Sequence, residues 1–351
     1  MSPSLLSHLR GRLVVDVDSM DPAVAARHTG ADQQFCDMTS NQAIVYSEAA
    51  RRDKANILKA ACDNVRGSEA TSDTQVADAL DLLNILLAKE VYPYLTGRVH
   101  VQTSPSTAYD TERTVAHAKK LVALFEANGI PSSRVCIKIP ATPESIVACQ
   151  YLEKIGIRTL ATCLFSVHQA VAASQAGCLY VAPYFNELRV HFEPGLWKEY
   201  ENTVLEHPMA PIIGAIVQTF KGIGSNTLVM PASIVTLSEA IALASLNPDH
   251  LTLSAAVLDQ LAATSSPENI LGDPKPHHPE VHLATSPTST GSSGNQELSI
   301  LETNFLSKGA DALRQALAAD AEAQCKLADA LKIFDEMEQQ TKTLIRQELG
   351  L

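Results

Sequence analysis

Lys138 stands in the run Val135-Cys-Ile-Lys-Ile-Pro-Ala-Thr142, apolar on both sides, with a helix start just beyond it. Burying an ammonium costs on the order of several kcal/mol unless it is paired or gives up its proton. A desolvated lysine therefore has a depressed pKa, and its neutral amine attacks a carbonyl to form an imine. A lysine snorkelling at a strand end, or held in a buried ion pair, explains this stretch equally well. Other strand ends carry the polar groups that imine chemistry needs. In Asp16-Val17-Asp18 one carboxylate alternates inward and can move protons for an amine, although either Asp serves equally as a helix cap. Asn41 offers a carboxamide to a substrate hydroxyl, or forms a turn. Gln102, Thr162 and Tyr184 end or follow three further strands. Each alone is as readily structural, but with the lysine they converge on one face.

Those groups need a scaffold that brings strand ends together. Short apolar runs alternate with longer amphipathic stretches, and the spacing predicts strands over Arg12–Asp18, Gln34–Met38, Arg98–Thr103, Arg134–Ile139, Arg158–Leu164, Cys178–Pro183, Thr227–Pro231 and His250–Leu253. Helical patterns lie between them. Thr111–Asn128 sets Val115, Ala118, Leu121, Val122 and Phe125 on one face and stops at Asn128-Gly129. Pro143–Ile155 follows Thr142 as cap, and Ser166–Ala176 ends at Gly177. Strands alternating with helices read as an α/β fold, either a closed parallel barrel or a doubly wound sheet. No GxGxxG or GxxxxGK[ST] turn follows a strand, so a (β/α)8 TIM-type barrel is favoured. Catalytic groups then belong at the carboxyl ends of the strands.

Asp53–Leu95 reads as a helical insertion after the second strand, broken near Arg66-Gly67-Ser68. Residues 272–300, rich in Pro, Ser, Thr, Gly and His, read as a flexible surface loop. His277 and His278 there have no Cys or clustered carboxylate partners, so no metal site is expected. Leu301–Leu351 reads as amphipathic helix packing over the barrel, and residues 1–351 as a single domain.

The chain has 351 residues, 46% apolar and 19% charged, the composition of an ordinary globular enzyme. A net charge of −12 argues against a broad surface for nucleic acid. The seven scattered cysteines form no CxxC and read as reduced, buried thiols of a cytoplasmic protein. No leader-like segment and no apolar run of membrane-spanning length is apparent, so no membrane association is expected.

The motifs resemble the transaldolase family. The resemblance rests on Ile137-Lys138-Ile139-Pro140-Ala141-Thr142, on Tyr151-Leu152-Glu153-Lys154-Ile155-Gly156-Ile157 and on Thr162-Cys163-Leu164-Phe165-Ser166, supported by Thr39-Ser40-Asn41 and Val229-Met230-Pro231-Ala232-Ser233. It implies class I aldol chemistry in a (β/α)8 barrel, without metal or cofactor. It also implies Lys138 as the imine-forming lysine, Asp18 as acid/base, Thr162 as the residue that positions water, and Asn41 and Ser233 as substrate-binding residues. A homodimer and a small carbonyl or sugar substrate are expected.

The departures are informative. Gln102 stands where transaldolases carry glutamate, and Tyr184 where they carry phenylalanine, which resembles the fructose-6-phosphate aldolase branch. Two arginines that hold phosphate in the family correspond here to Glu187 and Val235, neither of which can form a bidentate cationic fork. Arg189 is the expected compensating cation. The expectation is thus a metal-independent aldolase acting on a non-phosphorylated or unusual substrate with a dihydroxyacetone-like donor. The alternatives are a conventional pentose-phosphate transaldolase and a catalytically silent binding protein.

Overall fold

The structure, a computed structural model, describes residues 3–30, 33–265 and 300–351. His277, His278 and the predicted loop, apart from Ile300, lie outside them. Among the described residues, seven parallel strands alternate with helices: β1 (Val14–Val17), β2 (Val99–Gln102), β3 (Val135–Pro140), β4 (Thr159–Leu164), β5 (Tyr180–Pro183), β6 (Leu228–Val229) and β7 (His250–Leu253). β1 pairs with β7, and β2 to β6 pair in sequence order. The two sheets are joined at both edges. Asp249 N donates to Val229 O at 3.1 Å, linking the β7 end to β6, and residues 35–39 bridge β1 to β2 through Thr39 N to Val17 O (2.9 Å) and His100 N to Met38 O (2.8 Å). The α/β barrel expected from the alternating pattern is present, and every residue of β3, β4, β5 and β7 is buried.

Two predicted strands differ. Gln34–Met38 forms only bridges at Phe35 and Met38, and Thr227–Pro231 shortens to Leu228–Val229. The cause is side-chain substitution in the ladder. Asp37 Oδ1 takes the Arg98 N–H at 2.6 Å, Asp16 Oδ1 takes the Asp37 N–H at 2.8 Å, and Asp249 Oδ2 takes the Val229 N–H at 2.8 Å. Each carboxylate satisfies a backbone donor that a neighbouring strand would otherwise pair. Gly97 is required beside this segment, because a Cβ there would collide with Asp37 and Cys36.

Alternation along the strands stacks two polar layers inside the barrel. The lower layer joins His100 to Asp37 at 2.8 Å and His250 to Asp16 at 2.7 Å, with Tyr180 set between the two imidazoles at ring separations of 5.3 and 5.2 Å. Two residues further along their strands stand Gln102, Asp18 and Thr252. Lys138 likewise follows the buried Cys136. Asp16, Cys36 and Asp37 bring ligand-type atoms within 4.8 Å of one another, but the hydrogen bonds just described already occupy the carboxylate oxygens.

Burial acts to raise the pKa of Asp37. The His100 hydrogen bond and charge, helped by the Arg98 N–H, outweigh it and hold the carboxyl well below its usual range. A depressed carboxylate stabilises the fold above its unfolded pKa of about 4 and loses that contribution as pH falls. Asp37→Asn is therefore expected to be less stable than the parent at neutral pH, with the gap narrowing below about pH 4. Urea midpoints measured across that range check this, and a gap independent of pH would contradict it.

The predicted insertion is two helices, Ala55–Val65 and Ser72–Val91, separated at Arg66 and Gly67. The final helix, Ala321–Leu349, packs against helix Gln42–Ala49, the turns at 105–107 and 188–191, and β4. It therefore crosses the carboxyl-end mouth of the barrel, where Ser104 Oγ donates to the buried Glu338 at 2.9 Å. All seven cysteines are free thiols. Cys36 is half-buried and Cys325 is exposed, a correction to the expectation of uniformly buried thiols, and both residues border solvent rather than the core. No helix among the described residues is long and apolar enough to cross a membrane.

Candidate active site at the barrel mouth

Lys138 lies on β3, paired in register with Gln102 on β2 and Leu160 on β4. It is only 2% exposed. Its Nζ donates to Ser40 O at 3.3 Å, and no side-chain carboxylate lies within ion-pair distance of it among the described residues. Burial pushes its pKa down, and the charge of Asp18 pulls only partly against this. The geometry thus favours the neutral, nucleophilic amine over either structural reading: a snorkelling lysine would reach water, and a buried pair would show a carboxylate at contact.

Asp18 follows β1 and is half-buried. Thr39 Oγ1 donates to its Oδ1 at 2.6 Å and lies 2.5 Å from Thr252 Oγ1. This chain of hydroxyls orients one face of the carboxylate.

Tyr184 and Thr162 meet on the other side. Thr162 Oγ1 donates to the Tyr184 hydroxyl at 3.1 Å, and the Tyr184 ring centre is 6.0 Å from Lys138 Nζ. Phe165 packs edge-on against Tyr184 at 5.6 Å. Burial first, then the neighbouring Cys163, push the Tyr184 pKa well above its ordinary value, so the phenol keeps its proton. The register of β4 shifts between Ala161 and Leu164, where Cys163 adopts φ +52°. A non-glycine residue in this region is strained, and such bulges re-aim side chains next to active sites. Here the Cys163 thiol neighbours the Thr162–Tyr184 pair and influences its electrostatics. Burial raises that thiol to about 12, so it acts as a neutral neighbour and not as a nucleophile.

Gln102 is held by one partner. Gln42 Nε2 donates to Thr103 O at 3.0 Å, which fixes the Gln42 amide so that its Oε1 accepts from Gln102 Nε2 at 2.8 Å. Gln102 Oε1 is left buried without a donor, and such an acceptor is costly until a bound hydroxyl or water supplies one. A cavity of about 290 Å³ opens onto this pair, lined by Gln42, Gln102, Ser104, Arg113, Glu338 and Leu80 among others. Lys138, Asp18 and Tyr184 are not part of its walls.

The remaining predicted residues divide. Asn41 caps helix Gln42–Ala49, its Oδ1 accepting from Ala43 N and Ile44 N at 2.9 and 3.1 Å. Its oxygen is therefore spent on the helix, and only its Nδ2 is available to a ligand. Ser233 follows β6 at φ +60°, with its Oγ 2.8 Å from His191 Nε2. The Arg189 guanidinium is engaged by Glu193 at 3.2 and 3.3 Å and is not drawn into the Lys138 cluster. Thr39, Gln42, Cys163, His191 and Thr252 were not singled out from sequence. Thr39 and Cys163 sit inside the quoted motifs, and that adjacency was the available signal. Gln42 directly follows Asn41 at the edge of the same motif, and His191 and Thr252 carried no signal.

A buried amine, a half-buried carboxylate and a hydroxyl pair at the strand ends are the groups that imine chemistry requires. The chain matches the Transaldolase/Fructose-6-phosphate aldolase family over residues 15–343. It is 32% identical over 232 residues to a transaldolase of Gibberella intermedia, covering 66% of this chain and 71% of that protein. It is 31% identical over 269 residues to one of Gloeobacter violaceus, covering 76% and 67%. A transaldolase of Aliivibrio fischeri is 30% identical over 256 residues, covering 73% and 78%. The chain belongs to the transaldolase/fructose-6-phosphate aldolase family and is a transaldolase-type enzyme.

Proposed function

We propose that the protein is a metal-independent Schiff-base aldolase, joining a dihydroxyacetone-like donor to a non-phosphorylated or otherwise unusual carbonyl acceptor. The observation that carries this reading is the buried Thr162–Tyr184 hydroxyl pair near Lys138, with an amide, Gln102, in register with the lysine on the neighbouring strand. The Lys138 amine attacks the donor ketone, and loss of water leaves the imine. Removal of an α-proton gives an enamine, whose carbon adds to the acceptor aldehyde. Water then hydrolyses the new imine and frees the lysine. Asp18 moves protons at the nitrogen, and Tyr184, ordered by Thr162, serves the water and the hydroxyl oxygens. Gln102 Oε1 accepts from the donor hydroxyl or the water. Asn41 Nδ2 and Ser233 contact substrate, and Arg189 reaches it only by releasing Glu193.

No guanidinium stands at 187 or 235, and this supports an acceptor without phosphate. Residues 1–351 form one catalytic unit, working as a cytoplasmic homodimer. The relatives named transaldolase favour a second reading, the conventional exchange between sugar phosphates. Assaying dihydroxyacetone with glyceraldehyde against fructose 6-phosphate with erythrose 4-phosphate separates the two. Aldol addition without phosphate-sugar exchange is expected, and efficient exchange without addition would overturn the proposal.

A further inference from the structure

One wall of the mouth is well braced, and nothing in the chemistry above uses His191, which is exposed on it. The exits of β5 and β6 are tied by a bridge between Tyr184 and Ala232, by Phe185 N to Ala232 O (2.9 Å) and by Asn186 N to Ser233 O (3.2 Å). Behind them the buried Glu239 accepts from Asn186 Nδ2 (2.9 Å), Trp197 Nε1 (2.8 Å) and Val235 N (2.7 Å). That carboxylate is spent on holding two loops together. The result is a Ser233 fixed at φ +60° with His191 at hydrogen-bond distance, and strained backbone persists only where its surroundings over-determine it.

His191 is open to solvent on this wall, while protein crowds its other sides. Its Nε2 lies 2.8 Å from Ser233 Oγ at the carboxyl exit of β6, which sets the ring at the same mouth. Burial favours its neutral form, against the opposing pull of Asp18 and Glu239. The carboxylates that act on the imidazole disfavour a dianion, and the guanidinium of Arg189, two residues away in the chain, is held by Glu193. A neutral imidazole paired with a hydroxyl both donates and accepts, which suits an alcohol and not a phosphate.

We propose that His191, held by Ser233, is a specificity-determining residue that seats an uncharged, hydroxyl-bearing end of the acceptor substrate. The assignment deepens the aldolase reading and rests on it for its kinetic consequence. The residue acts in binding: Lys138, Tyr184 and Thr162 carry the bond making, and His191 chooses what is presented to them.

Kinetics with dihydroxyacetone as donor test the assignment, comparing glyceraldehyde with glyceraldehyde 3-phosphate as acceptors. His191→Leu is expected to raise KM for glyceraldehyde about tenfold with kcat little changed, the loss of one hydrogen bond. His191→Asn, which keeps a polar atom near the Nδ1 position that Ser233 leaves free, is expected to recover most of that loss. His191→Arg should move the ratio of kcat/KM about tenfold toward the phosphorylated acceptor. Equal changes for both acceptors, or an effect confined to kcat, would overturn the assignment. A second readout needs no turnover. In Lys138→Met, adding glyceraldehyde is expected to shift the His191 imidazole resonances in NMR spectra of the full chain, and unshifted resonances at saturating aldehyde would overturn it. Failure of dihydroxyacetone to form an imine on Lys138 is a separate result, which removes the parent reading and leaves the NMR test standing.

Discussion

Lys138→Met is expected to abolish aldol turnover, by roughly 10⁴- to 10⁶-fold as for removal of a catalytic nucleophile, while leaving the protein as stable as before or slightly more so. The second half of the expectation separates the alternatives. If Lys138 were one arm of a buried ion pair, its removal would strand a charge and cost about 3–5 kcal/mol. The described residues show no such partner: Nζ reaches a backbone carbonyl at 3.3 Å, and burial already works against its proton. Methionine fills nearly the same volume without that desolvation cost. Turnover and a urea unfolding midpoint on the same preparation check both halves. A stable protein with no activity supports the nucleophile, and loss of several kcal/mol would favour a structural lysine.

The second large effect is expected at Tyr184. Tyr184→Phe should lower turnover about 10²- to 10⁴-fold, the usual contribution of a positioned acid or base, and should still form the imine. It also leaves Thr162 Oγ1 without its acceptor, at a cost of about 1–3 kcal/mol for a buried polar group. The pH profile carries a further signature. Imine formation needs the neutral amine, so activity rises with pH through the depressed pKa of Lys138, below the ordinary lysine value. Tyr184 stays protonated well above the ordinary phenol value, so no alkaline loss is expected from it before about pH 10. Single-turnover trapping separates the steps: adduct formation by Tyr184→Phe at near-parent levels, with product release slowed by the same factor as turnover, is the expected result. Loss of adduct together with turnover would move Tyr184 from proton transfer to imine formation itself.

Much of this was legible in sequence because two periods do most of the placing. The apolar runs around Lys138 and Thr162 could only be strands buried on both faces, and helix stops such as Gly129, Gly156 and Gly177 delimit the units between them. Alternation of two then sets Gln102 above His100 and Lys138 above Cys136. What could not be read follows from interactions distant in sequence. The segment at 34–38 loses its ladder because Asp16 and Asp37, 21 residues apart, take backbone N–H groups with their side chains. The bulge at Cys163 depends on a backbone conformation that cysteine rarely adopts, and no residue type announces it. His191 meets Ser233 across 42 residues. Arg189, chosen for its charge and position, is engaged by Glu193 four residues on, a local pairing that helical turns favour and that a count of cations cannot resolve. The long terminal helix reads as amphipathic, but nothing in its pattern says that it crosses the barrel mouth.

The central claim is that Lys138 forms a covalent imine with a ketone donor. The direct test is to incubate the full-length protein with dihydroxyacetone, reduce it with borohydride and locate the adduct by peptide mass spectrometry. A single reduced three-carbon adduct on the peptide carrying Lys138, absent from Lys138→Met, is the predicted result. No adduct, or an adduct on a different lysine, would contradict it.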